Sequence, residues 1–301
     1  MTKTKATIFD GAMGTELQKR GLHKDPALLN LSHPNEIIAI HQEYLAAGAD
    51  VITANTFGAY SHKHDNAAEL IRAAISNGRQ AIKRAEGTSP FHAKPRMTKD
   101  SPFAPQLALD LGPTGLMIEP YGDTSEEECY QIFKETVRVG IDCGVDLILI
   151  ETMMDLTELK LAVTVAKETS LPVFATMSFD KNGRTMMGAD LDSMVSLLEG
   201  LNVDALGMNC GFGPDIYVGL ATELSKTTEL PIIIQPNAGM PVTEETASVP
   251  SGSDVSVRYN LTPDDFAKTM VSMNVNVMGG CCGTTPEHIA ALAQCVYSKF
   301  N

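Results

Sequence analysis

The chain has 301 residues and a formal net charge of -14 at pH 7, with 44% hydrophobic and 20% charged residues. That length supports a full core, as one barrel-sized domain or two smaller ones, and the negative balance argues against nucleic acid or an anionic membrane as a partner. No apolar run approaches the roughly 18 residues of a membrane span, the opening MTKTKATIFDG has no apolar signal region, and six cysteines are too sparse for a secreted disulfide scaffold, so the expectation is a cytoplasmic protein.

In chain order, short apolar runs at 6–9, 50–54, 107–111, 146–150, 172–178, 204–208, 231–235 and 274–278 read as eight strands. The segments between them carry helix signals. HPNEIIAIHQEYLAAGA has Pro34 near its start and Gly48 as a stop. SEEECYQIFKETVRVGIDCG opens on Ser125 as an N-cap, with acids in the first turn that suit the helix dipole. DLTELKLAVTVAKETS opens on Asp155. TPDDFAKTMVSM and TPEHIAALAQCVYSKF both begin Thr-Pro, a cap followed by proline at the first helical position. Eight strand-then-helix units predict an α/β fold, a (β/α)8 barrel with residues 1–301 as one domain. An open doubly wound sheet is the runner-up. The stretches 87–105 and 242–260, rich in Pro, Ser and charge, break the rhythm and read as loops or excursions. No internal repeat stands out beyond the βα alternation.

In such a barrel the active site lies at the carboxyl ends of the strands. The residues just past the predicted strands form a polar set: Asp10 and Gly11, Asn55, Glu151, Asn209 and Cys210, Asn237, and Cys281 with Cys282. Any one Asp or Asn there is an ordinary turn residue; their convergence on one rim carries more weight. Cys129, Cys143 and Cys295 sit inside helical patterns and read as small core hydrophobes. The Cys281–Cys282 doublet does not, because neighbouring side chains on a strand point to opposite faces. A strained vicinal disulfide is one alternative. Three thiolates from two strand ends suit zinc, with a fourth position left for water or substrate. A zinc so rich in sulfur is better suited to a soft ligand than to activating water. A substrate thiol, mostly protonated free in water, would there lose its proton and become a nucleophile.

The motifs FDGAMGTELQKRG, NTFGA, ETMMD, GMNCG, QPNAG and GGCCGTTPEHI follow one another over nearly the whole chain. Together they resemble the homocysteine S-methyltransferase family, in particular the homocysteine-binding module of its cobalamin-dependent branch. The resemblance implies a (β/α)8 barrel and Zn2+ held by Cys210, Cys281 and Cys282, which are then also the catalytic centre. It implies homocysteine bound through Asp10, the backbone around Gly11 and Gly14, Glu151 and Asn237. An α-ammonium needs anionic acceptors, which Asp10 and Glu151 supply, and a glycine-rich turn such as DGAMGT can hold a carboxylate through backbone N–H groups. No folate, cobalamin or reactivation module is expected within these 301 residues. The methyl group is therefore expected from a separate protein carrying methylcobalamin. S-methylmethionine or S-adenosylmethionine as donor, and a homocysteine- or zinc-binding subunit without turnover, are the alternatives.

Overall fold

The computed structural model describes residues 6–85, 104–243 and 257–298. The strands in chain order are β1 (Thr7–Ile8), β2 (Val51–Thr53), β3 (Gln106–Leu111), β4 (Leu147–Met153), β5 (Val173–Met177), β6 (Ala205–Cys210), β7 (Ile232–Pro236), β8 (Pro241–Thr243), β9 (Val257–Tyr259) and β10 (Val277–Met278). All but β8 and β9 pair in parallel in the order β1-β10-β7-β6-β5-β4-β3-β2. The two ends of that order meet: Phe9 bridges Val51, the Asp10 N–H donates to Val51 O at 3.0 Å, and the Asp50 N–H donates to Ile8 O at 2.7 Å. The sheet closes into an eight-stranded barrel, which sets the open-sheet alternative aside.

The helices among the described residues are α1 (Met13–Lys19), α2 (Pro26–Ser32), α3 (Pro34–Ala47), α4 (Ala67–Ala85), α5 (Glu126–Asp142), α6 (Leu156–Lys167), α7 (Leu191–Gly200), α8 (Pro214–Thr227), α9 (Pro263–Ser272) and α10 (Pro286–Ser298). Their ends carry the expected chemistry. Gly48 closes α3 in the left-handed region at φ 107°. Ser125 and Glu128 form a reciprocal capping box at the start of α5. The Glu158 N–H donates to Asp155 Oδ1 at 2.9 Å at the start of α6. No helix of the described residues is long and apolar enough to cross a membrane.

The core has two shells. Leu107, Leu109 and Leu111 of β3 pack outward with the helices, as do Ile148 and Ile150 of β4. Phe9, Val51, Ala108, Leu147, Leu149, Ala205, Ile233 and Val277 fill the barrel interior. Strand alternation continues each interior series upward into polar residues: Val51 to Thr53, Ala108 to Asp110, Leu149 to Glu151, Ile233 to Gln235. An apolar floor thus supports a polar ceiling at the carboxyl ends.

A repeated device fixes the opposite ends. The Ile8 N–H donates to Asp50 Oδ2 at 3.0 Å, Leu107 to Asp146 Oδ2 at 2.7 Å, Val173 to Asp204 Oδ2 at 2.8 Å, and Ile232 to Asn276 Oδ1 at 3.0 Å. Two residues before each acceptor stands a left-handed residue: Gly48, Gly144, Asn202 and Asn274. The tripeptides GAD, GVD, NVD and NVN thus recur at four strand starts within the βα alternation. They also shorten the expected strands. Residue 274 turns the chain at φ 54°, and the last barrel strand begins at Val277, not at 274.

Of the two excursions, positions 87–103 and 244–256 lie outside the described residues. The flanks of the second pair as an antiparallel ribbon, with Pro241 opposite Tyr259.

Candidate metal centre and its cavity

Cys210 ends β6, and Cys281 and Cys282 follow β10 by two glycines. The three Sγ atoms all lie within 4.8 Å of one another, with Cys210 and Cys282 at 4.0 Å. Local backbone makes this convergence. Cys210 adopts φ 59°, uncommon for a residue with a Cβ, and that turn redirects its side chain where the strand would have continued. The Cys281 N–H donates to Pro236 O at 2.8 Å, and Cys282 O accepts from the Ala238 N–H at 3.0 Å, so the doublet is stitched to the end of β7. Gly283 lies in the left-handed region, φ 79°, and a Cβ there would stand 2.1 Å from the Tyr259 ring. Hydrogen bonds from Cys210 and Cys281 pull the Cys282 thiol down to about 3, against its burial. Hydrogen bonding within the same trio pushes Cys281 well up.

The sulfurs open into a cavity of about 630 Å3 whose lining includes Asp10, Gly11, Gly14, Asp110, Glu151 and Gln235. Asp10 is clamped by Thr53, whose N–H donates to Oδ2 at 2.8 Å and whose hydroxyl donates to Oδ1 at 2.9 Å. Burial still pushes Asp10 up to about 7. Glu151 rises to about 8, through burial first and then the charges of Asp10 and Cys282. Asp110 is raised well above the carboxylate range, by burial and then by the charges of Glu151 and Asp10. Asp10, Asp110 and Glu151 therefore face one space, which Asp25 also lines, and oppose one another's ionisation.

The structure brings Cys210, Cys281, Cys282, Asp10, Gly11, Gly14 and Glu151 to this cavity. Gly11 is there because a Cβ would fall 2.6 Å from Thr284 Oγ1. Asn237 is buried beside the cysteine doublet, outside the lining; its N–H donates to Phe212 O at 2.9 Å and its Oδ1 has no partner. Asn55 lines the cavity, but its Nδ2 donates to Pro26 O at 2.7 Å, tying down α2. Asn209 is fully buried and organises the end of β4: its Oδ1 accepts from the Thr152 N–H and the Thr176 hydroxyl, both at 2.7 Å, and its Nδ2 reaches Glu151 at 3.3 Å.

Several residues of the site escape a reading of positions just past the strands. Asp110 and Gln235 lie within β3 and β7, and their signal was strand alternation. Thr284 ties the cysteine turn to the first loop: its hydroxyl donates to Cys281 O at 2.6 Å and accepts from the Ala12 N–H at 3.1 Å. Tyr44 of α3 places its hydroxyl between Ala12 O and Thr284 O, at 2.9 and 3.0 Å.

The donor set fits zinc. Tetrahedral zinc with Zn–S of about 2.3 Å separates its sulfurs by about 3.8 Å, close to the spacing seen here before any ion draws the ligands in. Three cysteine sulfurs beside an open cavity leave a fourth position for an exogenous ligand.

A family model described as homocysteine S-methyltransferase matches residues 7–296. Methionine synthase of Mycobacterium leprae is 31% identical over 317 residues, covering 97% of this chain and 24% of that protein. Methionine synthase of Mycobacterium tuberculosis is 30% identical, covering 97% of this chain and 25% of that protein. The chain thus spans about a quarter of the length of the curated relatives it matches. Among solved structures, the homocysteine methyltransferase MmuM of Escherichia coli in its metallated form superposes with a TM-score of 0.75 at 22% identity, covering 97% of this chain and 96% of that one. Its apo form gives 0.72 at 23% identity, with the same coverage. These likenesses show the fold.

Proposed function

The chain belongs to the homocysteine S-methyltransferase family, and on that premise we propose that it is a zinc-dependent enzyme that methylates the thiol of homocysteine to give methionine, with methylcobalamin carried by a separate protein as donor. The observation that carries this reading is the meeting of three cysteine sulfurs, all within 4.8 Å of one another, with the carboxyls of Asp10 and Glu151 around one cavity.

Cys210, Cys281 and Cys282 would hold the metal. When bound, zinc supplies the charge that lets a substrate thiol be held deprotonated near neutral pH. The rest falls to the chain's own groups. Asp10, fixed by Thr53, and Glu151, fixed by Asn209, accept hydrogen bonds from the substrate ammonium. The backbone of the Gly11–Gly14 turn takes the α-carboxylate. Asn237, buried outside the cavity lining with its Oδ1 unpartnered, is the remaining polar group that the family resemblance assigns to the substrate. The substrate sulfur then offers its electron pair to the methyl carbon, and the bond from that carbon to the donor's leaving group breaks, its electrons staying on the donor.

The mouth favours a large donor. Phe57, Met117, Tyr121, Met186 and Met240 are exposed on loops that follow the barrel strands, a rim suited to a protein surface. Phe57 is the only aromatic residue lining the cavity among the described residues, little material for a cage around a sulfonium. The test supplies zinc-loaded protein and homocysteine with a methylated corrinoid protein, free methylcobalamin, S-methylmethionine or S-adenosylmethionine, and measures methionine. Turnover with the corrinoid donors is expected. Turnover with a sulfonium alone would overturn the donor, and methionine from none of the four would overturn the activity.

A further inference from the structure

Asp110 is the next-to-last residue of β3 and belongs to its inward-facing series after Ala108. Its backbone is fixed by Thr56, which accepts from the Asp110 N–H at 3.0 Å and donates to Asp110 O at 2.8 Å. Its side chain is not fixed in this way. Asp110 is 6% exposed, lines the cavity, and its Oδ1 is buried with no hydrogen-bond partner. Leaving such an acceptor unmade costs folding free energy, and the fold keeps it at the inner wall of the site. The two neighbouring carboxyls are differently placed: Asp10 has both oxygens engaged by Thr53, and Glu151 accepts from Asn209. Asp110 thus brings an unengaged carboxyl oxygen to the cavity wall, where Asp10 and Glu151 each already accept at least one protein hydrogen bond. Gln235, 2% exposed, presents a second unpartnered acceptor, Oε1, to the same space. Among the described residues, the one cation in the lining, Lys63, sits among the loops at the rim, with Nζ beside Gly58 and Gly115. A ligand that brings several N–H donors and a positive charge would match these acceptors.

We propose that Asp110 completes the ammonium pole of the site as a third carboxyl beside Asp10 and Glu151, accepting one of the three ammonium N–H bonds and so selecting an α-amino thiol over a thiol acid without the amine. The inference rests on the homocysteine reading above. It makes the pole a three-acceptor match to a three-donor group, with Asp10 and Glu151 oriented by protein donors and Asp110 left for the ligand.

The test titrates zinc-loaded protein by calorimetry with homocysteine and with γ-mercaptobutyrate, the same thiol acid lacking the amine. The wild type, Asp110→Asn and Asp110→Ser are compared, with zinc content and melting temperature as controls. Both substitutions are expected to weaken homocysteine binding by roughly tenfold or more, the scale of a hydrogen bond to a charged group, while leaving γ-mercaptobutyrate within about twofold. Equal weakening of both ligands would make Asp110 a packing residue and overturn the proposal, as would unchanged homocysteine affinity. Wild-type protein that binds the two ligands equally would overturn it whether or not the variants fold. Zinc-loaded wild type that binds no homocysteine would instead overturn the functional reading beneath it.

Discussion

Cys210 and Thr152 hold left-handed backbone at the carboxyl ends of β6 and β4, at φ 59° each. Such conformations cost on the order of 1 kcal/mol or more, and here they turn one sulfur of the cysteine trio and the residue beside Glu151 into place. The first prediction concerns the sulfurs. Cys282→Ala should lose zinc, measured by elemental analysis of freshly reduced protein, while Cys295→Ala in α10 should keep it; full occupancy in Cys282→Ala would remove that residue from the metal centre. A second concerns Asp10. Its folded pKa of about 7 lies above the ordinary 3.8, so the folded state binds the extra proton. The associated stability is present below about pH 4 and is lost as pH rises toward 7, by up to about 1 kcal/mol per pH unit. Denaturant midpoints of the ligand-free protein between pH 5 and pH 8 should fall less steeply in Asp10→Asn than in the wild type. Parallel slopes would mean that Asp10 is ionised throughout that range.

The barrel strands were legible as elements because parallel strands are buried on both faces and read as short apolar runs. Helix ends were legible because Gly48, Ser125, Asp155 and Thr262 carry local capping chemistry. Contacts between distant segments were not. Nothing near Tyr44 in the sequence announces a hydrogen bond to Thr284, 240 residues away, and Asp110 looked like a strand interior until its alternation with Ala108 was set against the barrel lumen. The GAD, GVD, NVD and NVN tripeptides were visible but meaningless until each side chain was seen to cap the strand before it. They give a prediction at this scale. Asp146 accepts from the Leu107 N–H at 2.7 Å and pairs with Arg79 Nη1 at 2.8 Å. Asp146→Ala should destabilise the fold by about 1–3 kcal/mol by leaving that N–H unpaired, and zinc content should not change, because the residue lies at the opposite end of the barrel from the cysteines. Zinc loss without loss of stability would contradict this division between a structural end and a functional end.

As a whole, the molecule separates these tasks along the barrel axis: capped strand starts at one end, an apolar floor in the middle, then three carboxyls and three sulfurs beneath a rim of exposed apolar side chains. The central claim is that the sulfurs and carboxyls together recognise homocysteine, the metal-loaded trio taking its thiol as thiolate and the acids its ammonium. Calorimetry of homocysteine binding at pH 7, in buffers of different ionisation enthalpy, tests it most directly. A free thiol has a pKa near 8.5 and is mostly protonated there, and ammonium binding favours ionisation of acids now pushed up to about 7 and about 8. Zinc-loaded protein should bind with release of about one proton or more, and metal-free protein should bind much more weakly. Equal binding with and without zinc, and no proton released, would contradict the account.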